Sequence, residues 1–360
     1  MTVIGAGSLI VNPSELLRIL PKEQDVDFLP KMVRLSANEN PYSPSPSMQR
    51  AIDSIGPELC RYPNEHFSAL EAMIAEREGV SKDSVVVTSG SREGLHATGL
   101  LYGMNGGEIL TCLPTYRALL TYAEKFGAYI NIAPLAEDLS FDLDELDRRI
   151  HSNTRLVFVC NPNNPTGTLV DGNKLREFCT QASKRTMVFV DEAYFDYIEE
   201  NGYPSMSELI KEGYNVIVSR TFSKVYGLAG VRVGFLMARA DVASRLRSHL
   251  MSGTNIVAVR LAMAALDDRE FRAQCLDKNR EAREMIYASL DKIDLKYIRS
   301  HANFVFFQTG REINRVIRDF REKGIAVGRP FPPLTEWCRI STGTIEDVSK
   351  FTFALGEVFA

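Results

Sequence analysis

The stretch Ser219-Arg220-Thr221-Phe222-Ser223-Lys224 closes an apolar run, Val216–Ser219, and leads into a glycine-rich segment that reaches Arg232. The run reads as a strand, and one lysine stands among hydroxyls just past its end. A lysine that is to form a Schiff base must spend part of its time neutral, which requires desolvation or a neighbouring cation. Arg232 is placed to supply that positive field. The hydroxyls of Thr221 and Ser223, with the Arg232 guanidinium, would also suit a phosphate dianion, each charge-assisted bond contributing about 1.5–3 kcal/mol. Taken alone, Lys224 could equally be a solvated surface charge, so its surroundings in the chain decide its reading.

Outward from this stretch, from about Ser84 to Leu250, short β-branched runs alternate with amphipathic segments, the pattern of a mostly parallel sheet covered by helices. The expected strands are Val85–Thr88, Ile109–Cys112, Tyr129–Ala133, Leu156–Cys160, Met187–Val190, Val216–Ser219 and Arg232–Met237. Helical stretches such as Glu93–Tyr102, Tyr116–Phe126 and Asn173–Ser183 lie between many of them. After about Gly253 the texture changes to a long helix through Leu290, a strand Asn303–Phe307, a helix Glu312–Lys323 and short strands near Ala326 and Arg339. The expected division is therefore an N-terminal arm over 1–40, a large domain over 41–252 and a small α+β domain over 253–360. The arm holds one helix-like stretch, Pro13–Leu20, and is expected to pack on the small domain or at the mouth of the site.

Three further elements bear on Lys224. Val85–Thr88 runs into Ser89-Gly90-Ser91-Arg92-Glu93 and then a helix, where small residues let backbone N–H groups converge and the helix dipole favours an anion. A plain helix-capping turn is the other reading. Val188-Phe189-Val190-Asp191-Glu192-Ala193-Tyr194 is an apolar strand ending in an acid, and carboxylates at strand ends of α/β sheets sit over the ligand crevice. Facing a pyridine nitrogen, Asp191 would keep it protonated and improve the ring as an electron sink, with Tyr194 in reach of the ring's phenolic oxygen. Asp191 and Glu192 could instead bind a metal, but no histidine stands near in sequence to complete such a site, and none is expected. Finally NPNNPTG, Asn161 to Gly167, makes a tight turn after Leu156–Cys160, from which the Asn164 amide could donate to the same oxygen.

Composition narrows the class. Apolar residues at 45% and charged residues at 24% over 360 residues describe a chain able to bury a large core, with two domains the natural expectation. A net charge of −4 with the signs interspersed offers no basic face to nucleic acid or an acidic membrane, so small-molecule partners are favoured. No run approaches the roughly 18 apolar residues of a membrane span. The six scattered cysteines form no CxxC pair and read as reduced thiols, and the N-terminal apolar stretch is broken by Asn12 and Pro13, so a cytoplasmic address is expected.

These pieces, in this order, resemble the fold-type I pyridoxal-phosphate enzymes, in particular the class I/II aminotransferases of the histidinol-phosphate aminotransferase group. The resemblance also covers Leu35-Ser36-Ala37-Asn38-Glu39-Asn40-Pro41, Arg61-Tyr62-Pro63, Gly227-Leu228-Ala229-Gly230-Val231-Arg232, Ala302-Asn303-Phe304-Val305 and Arg339-Ile340-Ser341-Thr342-Gly343, nearly the whole chain. It implies the PLP-dependent transferase fold of type I: a large domain with a mostly parallel seven-stranded sheet between helices, plus a smaller α+β domain. It implies pyridoxal 5′-phosphate as cofactor and ping-pong transamination between an amino donor and a 2-oxo acid, with 2-oxoglutarate and glutamate as one pair.

By the same resemblance Lys224 is the Schiff-base lysine and carrier of the proton shift. Asp191 pairs the pyridinium, Tyr194 and Asn164 bond the phenolic oxygen, and Tyr116 stacks on the ring. Gly90, Ser91, Arg92, Thr221, Ser223 and Arg232 surround the phosphate. Tyr62 reaches the phosphate of a neighbouring subunit, so a homodimer with shared sites is expected. Arg339 takes the anionic end of the substrate, and Asn38 and Arg329 are further substrate-binding candidates.

One segment departs from that group. Gly324-Ile325-Ala326-Val327 is followed by Gly328 and only then Arg329, where the group places an arginine at once, so Arg329 is expected to be displaced from a substrate phosphate. Phe331 or Trp337 could then favour an aromatic or apolar substrate. Aromatic or other amino-acid transamination, and decarboxylation or elimination on the same cofactor, are the alternatives. Val3-Ile4-Gly5-Ala6-Gly7-Ser8 invites a dinucleotide-binding reading, but Ile10 stands where the third glycine belongs and Pro13 interrupts the helix.

Overall fold

A computed structural model describes residues 32–359, so Val3–Ser8 and Pro13–Leu20 lie outside the described residues. The apolar runs fold as twelve strands in chain order. They are β1 (Val33–Arg34), β2 (Val85–Thr88), β3 (Glu108–Leu113), β4 (Tyr129–Pro134), β5 (Thr154–Cys160), β6 (Met187–Asp191), β7 (Val216–Thr221), β8 (Gly234–Met237), β9 (Tyr297–Ile298), β10 (Phe304–Gln308), β11 (Ile325–Ala326) and β12 (Trp337–Ser341). Seven of them form one sheet in the order β2-β8-β7-β6-β5-β3-β4, parallel at every pairing except the two made by β8. The strands β6 and β7 are buried at every residue, as expected of a sheet covered on both faces, where an alternating pattern would put polar residues inside. Parallel pairing brings the carboxyl ends of β5, β6 and β7 to one edge, with Cys160 opposite Asp191 and Asp191 opposite Ser219. The polar residues that follow these strands are thereby gathered over one crevice.

A second apolar cluster lies toward the C-terminus. It is built on the three-stranded antiparallel sheet β12-β10-β9 and the helices Arg269–Asp291, Ile313–Glu322 and Ile345–Phe359. The described part of the arm joins it: β1 pairs parallel with β11, and Leu35 is fully buried there. Among the described residues no helix is long and apolar enough to cross a membrane.

Two elements differ from the sequence reading. The single long helix through Leu290 is two, Ile256–Asp267 and Arg269–Asp291. Asp268 separates them because its carboxylate accepts from the Phe271 N–H at 3.0 Å and from the Ser45 hydroxyl at 2.7 Å, acting as the cap of the second helix. The strand expected from Arg232 begins only at Gly234, since Arg232 is held at φ +68° in a turn. Its guanidinium donates to Ala229 O at 2.8 Å, which fixes that turn.

The second core depends on its aromatics. Phe320 is fully buried and stacks on Phe351 at 5.3 Å between centroids. Phe320→Ala is expected to lower unfolding free energy by about 3–5 kcal/mol in denaturant titration; a loss below about 1 kcal/mol would show that this contact is dispensable.

Candidate active site

The crevice at the strand ends is a cavity of about 720 Å³, lined among others by Asn38, Asp191, Tyr194, Lys224 and Arg339. Lys224 follows β7 on a short loop. Its Nζ donates to Asn38 O at 3.0 Å and stands 5.3 Å from the Tyr194 ring centre. Burial, and then the nearby Arg339 cation, pull its pKa down to about 7. That is the property a nucleophilic amine requires at neutral pH.

Asp191, at the end of β6, is 2% exposed, and among the described residues its Oδ1 has no hydrogen-bond partner. Burial pushes its pKa up to about 7 against the opposing pull of the Ala193 N–H, the nearby Ser219 hydroxyl and Lys224. A buried carboxyl with one oxygen free is costly unless a partner arrives, so the site is built for an N–H or cationic group at that point. Its neighbour Glu192 is fully engaged elsewhere, and among the described residues no group of His, Cys, Asp or Glu could hold a metal ion.

Above the carboxyl, two amides converge on one phenol. Tyr194 Oη accepts from Asn38 Nδ2 at 3.0 Å and from Asn164 Nδ2 at 3.2 Å. Arg339 donates to Asn164 Oδ1 and to Ser36 O, both at 2.6 Å, and packs over the Phe304 and Phe331 rings. Burial lowers its pKa to about 10, and its Nε is unpaired. A buried guanidinium with donors to spare is suited to an arriving carboxylate.

At the other end, Gly90 caps the helix Ser91–Gly103 with no side-chain cap, leaving first-turn N–H groups for another acceptor. The cradle requires bare backbone. A Cβ on Gly90, at φ +81°, would fall 2.2 Å from Arg232 Nη2, and one on Gly234 would fall 2.6 Å from the Ser91 nitrogen. Arg232 donates to Ser223 Oγ at 3.3 Å, Thr221 Oγ1 accepts from the Ser223 N–H at 3.1 Å, and Arg92 reaches Tyr116 Oη at 3.4 Å. Ser91, Arg92, Tyr116, Asn164, Thr221, Ser223 and Arg232 all line the same cavity.

Other candidates fall elsewhere. Tyr62 is 92% exposed and does not line this chain's cavity. Arg329 does reach the cavity: the intervening Gly328 folds against Arg339, its N–H donating to Arg339 O at 2.8 Å, and leaves the Arg329 side chain at the mouth. Phe331 and Trp337 do not line it. Phe331 is buried beneath Arg329 and Arg339, and Trp337 stacks on Phe306. Two residues without a role in the sequence reading hold Asn38 in place: Asn303 donates to Asn38 O at 3.0 Å, and Ser341 donates to Asn38 Oδ1 at 2.7 Å. His96, which stacks on Tyr122 at 4.2 Å, was also missed as a lining residue, although its spacing of four from Arg92 puts both on one helix face.

A sequence profile of the family Aminotransferase class I and II matches residues 30–355. The chain belongs to this family. It is 32% identical, over 92% of both chains, to the histidinol-phosphate aminotransferase of Caldicellulosiruptor saccharolyticus. To that of Moorella thermoacetica it is 34% identical, over 91% of this chain and 86% of the other. The crystal structure of histidinol-phosphate aminotransferase from Sinorhizobium meliloti in complex with pyridoxal-5′-phosphate superposes with a TM-score of 0.83 at 28% identity, covering 91% of this chain and 90% of that one.

This aminotransferase is a pyridoxal-phosphate enzyme, and its residues fit that group. The free oxygen of Asp191 matches a protonated ring nitrogen, the neutralised Lys224 amine matches an aldehyde, and the hollow at Gly90 and Gly234 with Arg232 matches a phosphate. Gly90→Ala should therefore fold yet bind pyridoxal phosphate roughly tenfold or more weakly, because Arg232 must move. Equilibrium titration of the visible absorbance measures this, and unchanged affinity would remove Arg232 from the cradle.

Proposed function

We propose that the protein transfers the amino group of an amine bearing a phosphate, with histidinol phosphate as donor and 2-oxoglutarate as acceptor. The unpartnered oxygen of buried Asp191 carries the assignment of the reacting end of the cavity. When bound, the cofactor supplies an aldehyde for the donor amine and an electron sink that makes the adjoining Cα–H acidic. Asp191 keeps a proton on the ring nitrogen. Tyr194 and Asn164 hold the phenolic oxygen, and Tyr116 covers one ring face. Thr221, Ser223, Arg232 and the backbone N–H groups of Gly90, Ser91 and Arg92 bind the phosphate, with Tyr62 of the partner subunit closing over it. Lys224 would serve as the base that takes the proton from the donor's Cα and returns it to the cofactor.

Arg339 receives the anion beside the reacting carbon in the buried half of the site, the phosphate of the donor or the α-carboxylate of 2-oxoglutarate, and Asn38 orders the segment on which it rests. Arg329, exposed at the mouth and without an ion pair among the described residues, receives the distal carboxylate of 2-oxoglutarate. The names of the relatives at 32–34% identity support a phosphorylated donor. The large exposure of Tyr62, Leu59 and Met251 supports a homodimer, and the two apolar clusters support two domains, with the first cluster continuing past residue 252 to Cys275 and the second taken up from Ala282.

The test is turnover with 2-oxoglutarate across histidinol phosphate and the aromatic amino acids, scored by glutamate formation. Histidinol phosphate is expected to be the preferred donor. Lys224→Ala should abolish both turnover and the yellow colour, and Asp191→Ala should cut turnover by roughly a hundredfold or more while keeping the colour. Preference for an aromatic amino acid would overturn the donor assignment; release of CO₂ or ammonia without glutamate would overturn transamination.

A second expectation concerns pH. Because only the neutral amine attacks an aldehyde, and Lys224 is lowered from 10.5 to about 7, the rate of cofactor capture by the apoprotein should rise through about pH 7 and level off above it. Stopped-flow absorbance follows the reaction. A rate still climbing toward pH 10 would mean that the amine is not desolvated as described.

A further inference from the structure

Strand geometry sends successive side chains to opposite faces, so the residues next to Asp191 and Thr221 point away from the cavity. Those residues are Glu192 and Arg220, and they meet. Arg220 Nε donates to Glu192 Oε2 at 2.8 Å, and Nη2 lies at the same distance. Glu192 also accepts from Ser205 Oγ at 2.9 Å and from the Met206 N–H at 2.8 Å. Arg220 Nη2 adds Ser205 Oγ at 3.0 Å and Glu78 at 3.6 Å, and its guanidinium lies 3.9 Å from the Phe195 ring centre. The two side chains are 3% and 9% exposed. Both Glu192 oxygens are thus satisfied while the adjacent Asp191 keeps one free.

We propose that the Glu192–Arg220 pair is a positioning device that fixes Asp191 and the loop carrying Lys224 relative to each other. This rests on the roles given above to Asp191 and Lys224. Backbone bonds between β6 and β7 set the register there and end with the Glu192 N–H on Ser219 O at 2.9 Å, so beyond that point β7 is bonded only to β8 on its other side. The ion pair bridges the two strands one residue beyond Asp191 and one before Thr221. From there the loop is tied down by the fully buried Phe222, whose N–H bonds Val233 O at 3.2 Å and whose carbonyl accepts from Leu228. A buried ion pair is poor evidence of stability, because desolvation offsets its attraction. Two guanidinium nitrogens converge on the one oxygen Oε2 while Oε1 is held by the Met206 N–H, and this restricts orientation, which is what a supporting shell under reacting groups must do.

Glu192→Asp and Arg220→Lys keep both charges but shorten one arm and remove the fork. In the loaded enzyme, each should loosen pyridoxal phosphate roughly tenfold or more and move the pH midpoint of the visible absorption, because Asp191 and Lys224 shift against the ring. The control is Phe320→Leu in the second core, with melting temperatures measured alongside, which should lower stability and leave both readouts where they were. If the pair variants lose stability but keep the parent affinity and midpoint, the pair is merely structural and the proposal fails. Should Glu192→Asp not fold, Arg220→Lys decides on the same two readouts. A parent protein that never turns yellow would defeat the underlying assignment of Lys224, whereas a yellow parent with unmoved variants defeats only this inference.

Discussion

The parallel register of β5, β6 and β7 is the constraint on which the site depends. Parallel strands end on the same side, so the three turns that follow them converge, and each delivers one kind of group: an amide from Asn164, a carboxyl from Asp191, an amine from Lys224. An antiparallel neighbour at any of these positions would send one group to the far edge of the sheet. The antiparallel strand β8 lies just beyond this trio and serves a different end. It returns the chain past Ser91, so that Gly234 and Gly90 bring Arg232 against the start of the Ser91–Gly103 helix.

Burial is the second condition. The same desolvation that lowers the Lys224 pKa raises that of Asp191, so both groups approach neutrality near pH 7 in one cavity. Neither shift would survive in a solvated cleft. The walls come from both apolar clusters, because Asn38 is gripped by Asn303 and Ser341 from the C-terminal side and touches Tyr194 and Lys224 on the other. The cavity therefore sits at a seam: Arg339 on β12 reaches across to Asn164 after β5. A seam of this kind lets a bound anion be felt by both parts of the chain.

The unaided pattern of the chain went a long way toward this. Continuous β-branched runs ending in polar residues located β5, β6 and β7 within a residue or two, since burial on both faces leaves little choice of residue type. It failed where long-range contacts override local preference. The interruption at Asp268 is a local cap on the Phe271 N–H that helical periodicity on either side masks, and Ser45, far away in the chain, adds a second donor to the same carboxylate. Arg232 was read as strand because β-branched neighbours flank it, whereas its own guanidinium bends the backbone to positive φ. Phe331 looked like a substrate contact from its place after Arg329; it is instead the shelf beneath two arginines.

By itself, the sequence determined the sheet, the four motif stretches and the family, because each depends on residue types at short spacing. Only the tertiary structure decided which polar groups are left without partners. Asp191 and Glu192 are adjacent acids, and the resemblance named the first without showing what becomes of the second; strand alternation turns one into the cavity and the other onto Arg220. Whether a charged group is free or consumed is a property of what is folded against it. Local sequence cannot supply that, since the deciding partners lie tens to hundreds of residues away.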